Sequence, residues 1–230
     1  MGVRHAELVI LGDDDGPGFG PAGRAVRVAP HLESPEGLFE GVERQQPADQ
    51  RVAEVEVLRT HVFSVGRVAL LDPDGEPFER SVIHHPGAVA VIPVDAKRRV
   101  TLVRQYRAAV DRMVLEAPAG TCDVEGEALQ ATVRRELEEE AGLLARSLEV
   151  LIGTFNTPGI SDQHTTIFLA TGLSACESRP DGIEERYMTV ETIRLADLDN
   201  LVAAGTLKDE TTVLGLYMAR QRLAATGRQP

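Results

Sequence analysis

The chain reads as an α/β protein, a mixed β-sheet sandwiched between helices, with a small N-terminal antiparallel β-domain ahead of it. Three observations predict this. Gly87 to Val94, GAVAVIPV, is a continuous apolar run of strand length, as expected of a buried strand. Glu127 to Ala141 lacks Pro and Gly, and Leu129, Val133 and Leu137 recur there every four residues, which is the stripe of an amphipathic helix. Val52 to Val82 alternates apolar and polar residues around Asp72-Pro73-Asp74-Gly75, a turn signal between two strand-like runs.

Taken in order, residues 1–51 form a Gly- and Pro-rich extension with few large apolar residues. Such a composition predicts partly disordered chain, with at most a short strand at Leu8 to Leu11. Residues 52–85 are the small β-domain, with a hairpin of Arg67 to Leu71 and Pro77 to Ile83. Residues 86–226 are the main domain. Its strands are predicted at Gly87 to Val94, Val100 to Tyr106, Val150 to Phe155, Thr165 to Ala170 and Arg186 to Leu195. Its helices are predicted at Glu127 to Ala141, stopped by Gly142, and then at Ala196 to Ala204 and Asp209 to Ala225. Strands interleaved with helices fit a sheet covered on both faces. Leu115 to Gly120 reads as the connection into the first helix.

Composition narrows the function. With 230 residues and 43% hydrophobic content the chain can bury a real core. A net charge of −12 argues against nucleic-acid binding through a basic surface. Cys122 and Cys176 are too few for a disulfide framework or a zinc site and read as free thiols in a reducing compartment. The apolar stretch at Leu8 to Leu11 is too short for a signal segment or a membrane span, so no membrane association and a cytoplasmic location are expected.

The chemistry concentrates on the helix from Glu127 to Ala141. Glu136, Glu139 and Glu140 fall at i, i+3 and i+4 and share a face distinct from the leucine stripe. Carboxylates favour helix N-termini, yet these crowd the C-terminal turn, and like charges four apart repel. Arg135 can pair with Glu139, but one guanidinium cannot neutralise the four glutamates of this turn, Glu136, Glu138, Glu139 and Glu140. A hard divalent cation can, because Mg²⁺ takes oxygen ligands from one or two carboxylates and fills its shell with water and substrate phosphate.

Gly120 to Leu143, GTCDVEGEALQATVRRELEEEAGL, resembles the Nudix box, Gly-x5-Glu-x7-Arg-Glu-U-x-Glu-Glu-x-Gly-U with U a bulky aliphatic residue. Every fixed position from Glu127 onward matches: Arg135, Glu136, Leu137, Glu139, Glu140, Gly142 and Leu143. Six residues rather than five separate Gly120 from Glu127, and the extra one falls in the loop before the helix, where insertions are tolerated. The resemblance extends over roughly residues 52–225. HPGAVAVIPV, VRQYR and LEAPAG resemble segments of the ADP-ribose pyrophosphatase group, with Ala117 where that group has Leu. A Pro about fifteen residues past the box marks that group, and Pro158 stands fifteen residues past Leu143.

The resemblance implies a Nudix fold and a site. Glu136, Glu139 and Glu140, with the carbonyl of Ala119, would hold Mg²⁺, or Mn²⁺ in its place, and Glu139 also counts among the catalytic residues. Gln163 stands where relatives commonly carry Glu, and a neutral amide cannot replace an anionic ligand. Arg80 and Arg107 match positions that bind the substrate's phosphates or terminal ribose, a task suited to a bidentate guanidinium. Glu116 is expected to touch metal or water beside the substrate. The general base is expected on the acidic loop Pro180 to Arg186, with Glu184 and Glu185 as candidates. His84 and His85 receive no catalytic role. The implied reaction is Mg²⁺-dependent hydrolysis of ADP-ribose to AMP and ribose 5-phosphate by a homodimer built through the small β-domain. The alternatives are another nucleoside diphosphate derivative, such as a sugar nucleotide or dinucleotide, and a sensor that binds ADP-ribose without turnover.

Overall fold

The computed structural model describes residues 50–178 and 185–226. The extension read at residues 1–51 lies almost wholly outside the described residues, as does most of the acidic loop.

Three strands come first: β1 (Gln50–Arg59), β2 (Ser64–Leu71) and β3 (Pro77–His84). They pair in that order as an antiparallel meander. The Asp72 turn is as predicted. The Asp72 carboxylate accepts the amides of Asp74 and Glu76, and Gly75 takes a positive φ of 87° that an L residue rarely adopts. On β1, Val52, Val57 and Leu58 are each about half exposed, so the described residues leave this edge strand's apolar side chains uncovered.

The end of β3 is stitched to the loop Thr157–Gln163. Ile83 donates its amide to the Ile160 carbonyl at 2.8 Å, and its carbonyl accepts the Asp162 amide at 3.1 Å and the Ser161 hydroxyl at 3.0 Å.

The main body holds β4 (Ala88–Pro93), β5 (Arg99–Arg107), β6 (Arg112–Glu116), β7 (Ala119–Thr121), α1 (Leu129–Ala141), β8 (Leu143–Phe155), β9 (His164–Ala175), β10 (Thr189–Arg194), α2 (Leu198–Ala203) and α3 (Glu210–Thr226). One sheet runs β7-β4-β9-β8, with β4 parallel to β9 and the other pairs antiparallel. A second runs β10-β5-β6, all antiparallel.

The apolar run of β4 is explained by burial on both faces. Val89 and Val91 join Val133, Leu137 and Phe168 in a core under α1. Ala90 and Ile92 join Ile167, Leu169, Leu216 and Ala219 in a core under α3. Alternate residues of one strand thus serve opposite layers. Gly215 lets α3 lie close on the sheet, since a Cβ there would sit 2.8 Å from Ile92 Cδ1.

Some elements depart from the sequence reading. Leu115 to Gly120 is no simple connection: it closes β6 and opens β7, which pairs with β4. β8 begins at Leu143, well before the predicted Val150, because Gly142 at φ 61° ends α1 and turns the chain directly into the sheet. α1 starts at Leu129 rather than Glu127, and the Glu127 carboxylate instead accepts the Thr132 hydroxyl at 2.8 Å. The predicted strand from Arg186 begins only at Thr189, after a short 3₁₀ turn Glu185–Tyr187. The helix expected at Ala196 to Ala204 splits into a 3₁₀ turn, Leu195–Asp197, followed by α2.

Candidate functional site

The leucine stripe buries one side of α1 in the core, and this fixes where the glutamates go. Val133 and Leu137 are fully buried, and Leu129 packs against the same cluster. The acidic face then meets β7. Glu136 and Glu140 are each only 7% exposed, an unusual depth for carboxylates. Glu140 accepts the Ala119 amide at 2.9 Å. Glu136 lies against Gly120 so closely that a Cβ at that position would overlap its carboxylate. The Gly of the box is therefore a matter of space for Glu136.

Arg135 gathers the outer carboxylates. Its guanidinium lies 2.7 Å from Glu136, 3.3 Å from Glu139 and 3.7 Å from Glu127. Burial works against the charge of Arg135, but Glu136, Glu139 and Glu127 outweigh it and hold the group above its ordinary pKa. Cys122 sits beside this cluster, half-buried, and its thiol is pushed up to about 11 by burial and by Asp123, Glu127 and Glu136. Such a thiol is protonated at neutral pH and is a poor nucleophile. Cys122 forms no disulfide among the described residues.

Glu116, at the end of β6, is a third buried carboxylate at 7% exposure. Arg107 grips it, with Nη2 2.6 Å from Oε2 and Nε about equally far from both oxygens at 3.0 and 3.1 Å. Gln105 adds a longer contact at 3.4 Å. Arg107 and Glu116 are thus brought together on the β5–β6 hairpin, although Glu116 pairs with Val103 and Arg107 with Arg112, so the long guanidinium side chain spans the distance. Arg80 is not brought to them. Its guanidinium stacks 4.7 Å from the Phe78 ring and donates to the Glu79 carbonyl, both on β3. Among the described residues, no hydrogen bond or ion pair joins Arg80 to the glutamates of α1. Glu184 lies outside the described residues, and of Glu185 only the backbone is described.

The connection between Glu116 and Ala119 is held by α3. The Ala117 amide donates to Thr212 Oγ1 at 2.8 Å, and Asp209 accepts both the amide and the hydroxyl of Thr212, at 2.7 and 2.6 Å. Asp209 thereby caps the start of α3 and aims the hydroxyl that fixes the strand leading to Ala119. Sequence reading missed this link, although Asp209-x-x-Thr212 has the spacing of an N-cap.

The donor set fits a hard divalent cation: carboxylates from one helix face beside a backbone carbonyl. Among the described residues, no three His, Cys, Asp or Glu side chains are already gathered at metal-ligand spacing. Glu136 and Glu139 instead share Arg135.

Comparison with known proteins agrees with this geometry. The family described as NUDIX domain matches residues 83–209. An ADP-ribose pyrophosphatase of Bacillus subtilis (strain 168) is 33% identical over 144 residues, which are 63% of this chain and 77% of that protein. An ADP-ribose pyrophosphatase of Mycobacterium tuberculosis (strain ATCC 25618 / H37Rv) is 35% identical over 156 residues, 67% of this chain and 75% of the relative. Among solved structures, an ADP compounds hydrolase superposes with a TM-score of 0.69 at 22% identity, covering 79% of this chain and 97% of that one. This last likeness concerns the fold.

Proposed function

The chain belongs to the NUDIX family, and from that premise we propose that it is a hydrolase that splits the pyrophosphate of ADP-ribose into AMP and ribose 5-phosphate. The observation that carries the reading is the pair of buried carboxylates, Glu136 and Glu140, packed on β7 within a complete run from Glu127 to Leu143. The similarity to two ADP-ribose pyrophosphatases and the position of Pro158 support the substrate.

Glu136, Glu139, Glu140 and the carbonyl of Ala119 would hold the cation, Mg²⁺ or Mn²⁺. When bound, it supplies charge neutralisation at the pyrophosphate and acidifies water. The chain's own residues do the rest. The Glu140–Ala119 hydrogen bond orients β7, so that the Ala119 carbonyl and the acidic face stay in fixed relation. Arg135 screens the repulsion among Glu127, Glu136 and Glu139, which lets three like charges share one surface. Arg107, oriented by Glu116, would turn its guanidinium toward a phosphate. Glu184 or Glu185 would take the proton from the attacking water.

Arg80 would reach substrate in a homodimer, where a partner's β1–β3 sheet can approach the site. The uncovered apolar residues of β1 support such an assembly. A cytoplasmic location is supported by the low cysteine count, two in the whole chain, too few for a disulfide framework.

The test is a panel of nucleoside diphosphate derivatives with and without Mg²⁺, read by release of nucleoside monophosphate. ADP-ribose is expected to give the highest kcat/KM, and only with the metal. Preference for a sugar nucleotide or a dinucleotide would replace the substrate, and tight ADP-ribose binding without turnover would make the chain a sensor.

A further inference from the structure

Between the small sheet and the main body lies a chain of charged groups that the reaction does not use. Glu54 on β1 reaches across β2 to His84 on β3, with Oε1 2.5 Å from Nε2. It can do so only because position 66 is glycine: a Cβ there would overlap the Glu54 carboxylate and sit 3.1 Å from His84 Nε2. On its other side, His84 Nδ1 lies 2.6 Å from Asp162 Oδ2. The second oxygen of Asp162 accepts the His85 amide at 2.9 Å. A carboxylate accepts, so both contacts form at once when both ring nitrogens donate, that is, in the imidazolium form of His84.

The geometry points to His84 and Asp162 as positioning residues for substrate binding, through which the Glu54 clasp holds the Thr157–Gln163 loop, with Pro158 in it, against the end of β3. The inference rests on reading that loop as part of the ADP-ribose site. Asp162 and Ile83 are the points where loop and sheet meet, and the clasp grips one of them by both carboxylate oxygens. The groups facing the clasp are few. Arg51 pairs with the other oxygen of Glu54, and His85 and His164 stand near Asp162 with pKa values lowered by burial. For His84, burial lowers the pKa, but the hydrogen bonds to Asp162 and Glu54 prevail and raise it above the ordinary value. A raised folded-state pKa means the clasp is complete below the ordinary histidine range and loosens as pH rises through the raised value.

The experiment uses the full chain and has two arms. Without substrate, hydrogen exchange of residues 157–163 should be faster in His84→Gln than in wild type. With ADP-ribose and Mg²⁺, wild-type KM should rise about tenfold with pH across the His84 titration, as a competent-loop population falling to roughly a tenth requires. His84→Gln should show the high KM at every pH while kcat stays within about threefold, the signature of lost binding rather than lost chemistry. Glu54→Gln keeps an acceptor but not the charge, so its KM rise should begin at lower pH. Unchanged exchange in His84→Gln, or a KM profile identical to wild type, overturns the proposal. If His84→Gln does not fold, Glu54→Gln decides: a shifted KM rise supports the clasp and an unshifted one refutes it. A wild type inactive on ADP-ribose overturns the functional reading alone; the exchange arm still stands, and the panel's best substrate takes over the second.

Discussion

Glu140→Gln separates charge from shape at the candidate cation site. The amide can still accept the Ala119 N–H, so the fold should persist, while one ligand charge is lost. A fall in kcat of about a hundredfold or more is expected, typical of removing one key electrostatic group, and steady-state AMP release at saturating Mg²⁺ measures it. Gly120→Ala probes the same surface from the other side. Its Cβ would displace the Glu136 carboxylate, so activity should drop, with a stability loss of about 1–3 kcal/mol from overpacking measured by denaturant unfolding. Wild-type activity in this variant would show that Glu136 need not sit where it does. At this scale the sequence was informative where spacing carries chemistry. Glu136, Glu139 and Glu140 could be grouped from helical periodicity alone, whereas the burial of Glu136 and Glu140 comes from their packing on β7. Arg107 with Glu116 was nameable but not as a pair, because the β5–β6 hairpin and the reach of the Arg107 side chain along it bring them together. Glu54, His84 and Asp162 were not legible at all: three strands and a distant loop bring them together, and no local period links them.

At the scale of elements, the strongly periodic segments were readable and the short ones were not. α1, β4 and the Asp72 hairpin each carry a complete signal: a stripe with a Gly stop, a two-faced apolar run, an Asp-Gly turn. β7 carries none, since Ala119 and Gly120 are poor strand formers, Thr121 alone makes no run, and pairing with β4 holds the three extended. The acidic loop before β10 carries the two candidates for the general base. Glu184→Gln and Glu185→Gln should divide the candidates: the true base should lose kcat while substrate affinity stays similar, as read by single-turnover kinetics and equilibrium binding. If both single variants and the double variant keep full activity, the base lies elsewhere, and Glu116 becomes the next candidate.

At the scale of the whole molecule, β1 is the unbalanced part. Val57 at 55% and Leu58 at 51% exposure on an edge strand call for cover, and a second copy of the same sheet is an isologous way to supply it. Light scattering should therefore give about twice the 24.9 kDa chain mass. Mixing an Arg80→Ala chain with a Glu140→Gln chain should restore part of the activity, because one site of the mixed dimer would be intact. A fully active monomer would refute the dimer; a dimer without complementation would remove only the shared site. The two-faced strand β4 has a consequence of another kind, for which lengths of chain the family can explore. One residue added or removed within Ala88–Pro93 would send Val89 and Val91 to the α3 layer and Ala90 and Ile92 to the α1 layer, exchanging the contents of both cores at once. The extra residue between Gly120 and Glu127 meets no such obstacle, because Gly126 and its neighbours form a surface turn. Natural length variation in this lineage should accordingly pile up beside the acidic helix and stop abruptly at the central strand.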